Sequence, residues 1–102
     1  MHLIQLLLPL YDNEGHAFER ADIALVRDEL AEAFGGVTAH TRAPAEGLWK
    51  DEAGSVSRDS VVAFEVLAER LDRAWWASYR DTLAARFRQE EVLITAAPVE
   101  RL

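Results

Sequence analysis

The sequence predicts an α+β fold in which a four-stranded antiparallel sheet carries two helices on one face. Three observations predict it. Apolar or alternating runs of strand length recur at 2–8, 37–42, 58–67 and 91–97. Two longer stretches, about 17–34 and 70–88, repeat their apolar residues at helical spacing. The chain's 102 residues suit one domain spanning 1–102.

The elements follow in order. Residues 2–8 are an apolar run closed by Pro9 and read as the first strand. Tyr11-Asp12-Asn13-Glu14-Gly15 has turn chemistry. Phe18, Ile23, Val26, Leu30, Ala33 and Phe34 share one face of the first helix. Gly35-Gly36 closes that helix, because glycine takes the left-handed conformation a helix end favours. Residues 37–42 alternate as a second strand, and Pro44 and Gly47 break the pattern. Residues 43–57 read as an extension or arm, with Leu48-Trp49-Lys50 a short continuation and Glu52-Ala53-Gly54-Ser55 a hairpin turn. Val61, Val62, Phe64, Val66 and Leu67 mark the third strand. Trp76, Tyr79, Leu83 and Phe87 mark the second helix, with Asp72 as its N-cap. Residues 91–97 end the pattern before Pro98.

This order, β-α-β-β-α-β, is the split arrangement of ferredoxin-like folds, whose sheet runs 4-1-3-2. Successive strand residues face opposite sides. The helix-covered face then takes Ile4, Leu6, Leu8, Val62, Phe64, Val66, Val92 and Ile94. The other face takes Leu3, Leu7, Val61, Leu67 and Leu93, which is too apolar for a face left in water. A second copy packed against it, giving a homodimer, is the economical cover. The same face carries Gln5, His40, Glu65 and Thr95, one on each strand, which predicts a polar row. Such a row is either an interface network or the lining of a small-molecule cavity.

Composition narrows the function classes. Half the residues are apolar and 28% are charged, as in globular proteins. There is no cysteine, hence no disulfide or thiolate metal site, and a reducing cytoplasm is the expected compartment. The net charge is −7 and Lys50 is the single lysine, which argues against a nucleic-acid partner or an anionic membrane. The apolar start of the chain lacks a basic leading segment and a small-residue cleavage site, and is too short to span a bilayer. No nucleotide-binding loop, nucleophile elbow or histidine pair at metal-ligand spacing is present, and no cofactor is expected.

The residues that could carry chemistry are few. His40 and Glu65, on neighbouring strands, could form an imidazole–carboxylate pair acting as a general base. Gln5 and Thr95 would bind a ligand beside them, with Arg42 and Trp49 at the mouth. Trp49 follows a Pro-Ala-Glu-Gly turn, as an interface anchor, a ligand platform or a lid on the core. Trp76 and Tyr79 read as core rather than as an aromatic cage, with Trp75 at the core's edge.

Phe34-Gly35-Gly36-Val37-Thr38, followed by Gly47-Leu48-Trp49 and a valine-rich strand, resembles a group of small uncharacterised bacterial proteins. That resemblance implies a ferredoxin-like fold and is silent on activity. The architecture is also similar to the dimeric α+β barrel superfamily. Its enzymes include cofactor-independent monooxygenases and muconolactone-type isomerases, which implies a site between sheets. If the polar row lines a cavity, the expected chemistry is proton transfer on an organic substrate, with Glu65 or His40 as base.

Overall fold

The computed structural model describes the backbone of residues 1–50 and 56–102, and the side chains of 1–40 and 61–102. Its elements are β1 (His2–Pro9), α1 (Arg20–Phe34), β2 (Thr38–Lys50), β3 (Val56–Ala68), α2 (Arg73–Arg86) and β4 (Leu93–Pro98). The sheet is antiparallel, in the order β2-β3-β1-β4. This is the ferredoxin-like arrangement that the element order predicts.

The core forms where the strand parity places it. Ile4, Leu6 and Leu8 from β1 and Val62, Phe64 and Val66 from β3 are buried under Val26 and Leu30 of α1 and Trp76, Tyr79 and Leu83 of α2. Each such side chain contributes about 1.5–3 kcal/mol when fully buried. An ion-pair clamp joins the helices. Arg86 of α2 holds Glu29 of α1 through both guanidinium nitrogens, and the Tyr79 hydroxyl donates to the same carboxylate at 3.1 Å. Burial beside that carboxylate pushes the Tyr79 hydroxyl's pKa up, and Arg86 lowers that of Glu29.

Both helix ends follow local chemistry. Asp72 caps α2 by accepting from the Trp75 N–H at 3.1 Å. Gly35 ends α1 with φ of 78°, its N–H bonded to the Ala31 carbonyl. α1 begins at Arg20 rather than 17, because Phe18 N–H bonds the Leu10 carbonyl and Tyr11 bridges Ala17. Asp12 organises that turn by accepting from the Glu14 and His16 N–H groups. Ala33, expected on the apolar face, is exposed.

The second strand differs most from expectation. β2 does not stop at residue 42. It runs to Lys50 and pairs with β3 as far as Lys50 opposite Val56. The segment read as an arm is thus largely the extended hairpin itself, and Trp49 lies within a strand, opposite Ser57. Pro44 is tolerated for two reasons. β2 is an edge strand, and Pro44 falls where the register shifts between His40 and Ala45. The expected turn at 52–55 lies outside the described residues, as do the side chains of Arg42 and Trp49.

Candidate functional site

The face without helices holds the candidate site. Register fixes which polar residues meet there. Gln5 of β1 sits opposite Thr95 of β4 on one side and Glu65 of β3 on the other. Glu65 in turn faces Thr38 of β2. The row across four strands is therefore Thr95, Gln5, Glu65 and Thr38. His40 does not occupy the row, because it pairs with Ala63, one step along the ladder. Its ring still reaches diagonally, with Nε2 3.6 Å from the Glu65 carboxylate. The structure thus joins His40 and Glu65 and sets Gln5 beside Glu65, with Thr95 one strand further away, beyond Gln5.

The burial of this pair decides its chemistry. The Glu65 side chain is 32% exposed and His40 is 51% exposed. Both reach solvent, and 3.6 Å is longer than a hydrogen bond. The arrangement is a half-covered imidazole–carboxylate contact open to solvent rather than a closed interior network.

A concavity of about 420 Å³ opens directly beside Glu65. Its floor is Leu3, Leu67 and Glu65, and its rim is Gly35, Gly36 and Thr38. Arg101, from the segment after β4, completes the lining. The aromatic cluster behind it fixes one wall. Phe34 stacks on Trp76 with centroids 5.0 Å apart and meets Trp75 edge-on at the same distance. That packing holds the end of α1, and with it Gly35-Gly36, at the edge of the sheet. Trp75, Trp76 and Tyr79 thus support the core and the site's wall; they do not form a cage around a ligand.

A larger hollow of about 590 Å³ lies on the helix side, between α1 and the sheet. Leu10, Phe18, Ile23 and Phe64 line it, with Arg20 and Arg27 beside them. Among its described lining residues there is no carboxylate or imidazole for acid–base work.

The fold resembles that of a phage SAM lyase. Two solved structures carry the likeness. One is the phage SAM lyase in complex with S-methyl-5'-thioadenosine, with a TM-score of 0.66, 12% identity, and coverage of 94% of this chain and 79% of that one. The other is the phage SAM lyase in its apo state, with a TM-score of 0.62, 12% identity, and coverage of 94% and 78%. At that identity the likeness is one of fold, and a fold hosts many activities. No family model matches the chain, and no curated protein matches it.

Sequence reasoning missed part of this lining. Gly35-Gly36 reads as a helix cap, which it is, but the same turn borders the concavity. Thr38 was legible as an open-face residue, yet only register makes it Glu65's neighbour. Arg101 follows the last strand and carries no pattern that would mark it.

Two of the exposed large apolar residues are also on this face. Leu67 is 47% exposed and Leu93 is 39% exposed. Leu3 pairs with Leu67 and Leu7 with Leu93, so the leucines form two cross-strand pairs. Val61, by contrast, is buried within the chain. Among the described residues, no helix is long and apolar enough to cross a membrane.

Proposed function

We propose that this protein binds a small zwitterionic sulfonium nucleoside, of the S-adenosylmethionine type, on the open face of its sheet, and cleaves it there. One observation carries the reading. A carboxylate, Glu65, and a guanidinium, Arg101, line a single concavity of about 420 Å³. Opposite charges in one small site match a ligand that carries both a cation and a carboxylate. Arginine engages a carboxylate through paired N–H donors, and Glu65 attracts a sulfonium or ammonium. The fold shared with the phage SAM lyase supports the same ligand class.

The chemistry has a definite charge balance. The ligand's own carboxylate oxygen attacks the methionyl carbon bound to sulfur, so a C–O bond closes a five-membered lactone as the C–S bond breaks and its electron pair stays on sulfur. The cation becomes a neutral thioether, S-methyl-5'-thioadenosine. A carboxylate that holds the cation loses its hold on that product. Glu65 therefore serves binding and release, since an attraction weakened in the transition state does not speed the chemical step.

A second copy completes the site in this reading. The concavity is open on one side, whereas bound small molecules are mostly enclosed. Leu67 in its lining remains uncovered, as does Leu93 elsewhere on the same face. A homodimer built on this face encloses the ligand and covers the leucines together.

Calorimetric titration of the full chain tests the proposal. Saturable binding of S-adenosylmethionine is expected, with S-methyl-5'-thioadenosine appearing by chromatography on incubation. Absence of binding at millimolar ligand defeats the ligand assignment. Binding without product reduces the protein to a receptor. Light scattering at micromolar concentration should give a mass above that of one chain.

A further inference from the structure

A groove on the helix side of the sheet, between α2 and the edge strand β4, carries a second cluster of cationic and polar side chains. It encloses about 400 Å³. Arg73, Trp76 and Arg80 line it from α2, and His2, Ile4 and Ile94 line it from the sheet. The α2 residues are three and four positions apart, so they share one helix face.

Two polar atoms of this lining are buried without a hydrogen-bond partner, Nδ1 of His2 and Nε1 of Trp76. Trp76 is only 6% exposed. A buried N–H that lacks an acceptor leaves its desolvation uncompensated. The indole nitrogen can only donate, so the partner it would take is an acceptor. His2 offers a second donor in the tautomer with hydrogen on Nδ1.

The charge beside them has the matching sign. Among the described residues, Arg73 has no ion pair, and Arg80 pairs only with the exposed Asp81, at 3.5 Å. Such a surface pair is weak and easily exchanged. Two available guanidiniums next to two unsatisfied ring nitrogens form a cationic, donor-rich patch on a chain of net charge −7. Ile4 and Ile94 add an apolar floor.

We propose that this groove binds an organic oxyanion, a carboxylate or phosphate monoester carried on an apolar body. The anion lies between Arg73 and Arg80 and accepts from the Trp76 indole, and the apolar body rests on the two isoleucines.

Proton–nitrogen correlation spectra of the full chain test this, because each tryptophan gives one indole signal. Trp76→Phe identifies the Trp76 signal; if that variant does not fold, Trp49→Phe and Trp75→Phe identify it by elimination. The probes are phenyl phosphate and benzoate, with benzyl alcohol as the uncharged control, all at constant ionic strength. A saturable downfield shift of the Trp76 signal is expected with at least one anion and not with the alcohol. The tighter of the two identifies phosphate or carboxylate as the headgroup. The Arg73→Gln, Arg80→Gln double variant alters two exposed side chains, so it should fold and bind at least tenfold more weakly. An unmoved signal, an equal shift in the double variant, or an equal shift with chloride overturns the proposal; the last means an adventitious ion only.

Discussion

Replacing Glu65 with glutamine separates a ligand carboxylate from a structural one. The contact with His40 spans 3.6 Å, with both partners reaching solvent. An exposed pair of this kind contributes about 0.2–1 kcal/mol to stability. Glutamine keeps the volume and can still hydrogen-bond, so the urea midpoint should barely move. Binding should respond differently. A ligand cation about 4 Å from the carboxylate gains about 4 kcal/mol at an effective dielectric of 20. Solvent access and desolvation leave about 1–2 kcal/mol of that, or a 5- to 30-fold rise in Kd. Uncharged S-methyl-5'-thioadenosine should lose less than about twofold, since the carboxylate has no cation to meet there. Parallel calorimetric titrations of both ligands give the comparison. Equal weakening of the two ligands, or none, refutes the cation-binding role of Glu65. A stability loss above about 2 kcal/mol would instead make it a structural residue.

The other predictions concern the frame that holds the site. Glu29→Gln should cost about 1–2 kcal/mol at pH 7, because a charge-assisted double contact to Arg86 is lost from a partly exposed position. Arg86 lowers the Glu29 pKa in the folded state, so this stabilisation is full above the carboxyl's ordinary 4.5 and fades as pH falls through the lowered value. Urea titrations at pH 7 and pH 3 should therefore show the variant's deficit shrinking in acid, and an unchanged deficit contradicts the assignment. Gly35→Ala forces a side chain onto φ of 78° and should cost about 1–2 kcal/mol. Gly36→Ala meets open space and a permitted φ, so its melting temperature should match the parent's; equal losses in both would refute the cap argument. Leu67→Glu should yield a single-chain mass in light scattering with the fold intact by circular dichroism, and a persistent dimer would place the interface elsewhere.

Much of the fold was legible because burial has a period. Ile4, Leu6 and Leu8 alternate with half-buried neighbours, as the first strand's pattern requires. Trp76, Tyr79 and Leu83 recur at helical spacing and are buried. Gly35 and Asp72 marked helix ends by local chemistry alone. The extent of β2 was not legible. Pro44 and Gly47 weaken local strand propensity, and the pairing with β3 that overrides them is a long-range interaction. The site was half legible. Parity put Gln5, His40, Glu65 and Thr95 on one face, but parity does not fix register.

The sequence by itself determined that both faces of the sheet carry apolar residues, and which strand residues belong to each. Side-chain alternation is a property of the strand alone, so no partner strand is needed to read it. Only the tertiary structure decided who stands next to whom. Strand pairing set Thr38, not His40, opposite Glu65, and left His40 on the diagonal. Chain packing brought Gly35-Gly36 and Arg101 to the same hollow from positions at least 29 residues from Glu65 in number. Those neighbours are fixed by hydrogen-bond register and by the path of the chain over the core, and neither is a local property of the residues that meet.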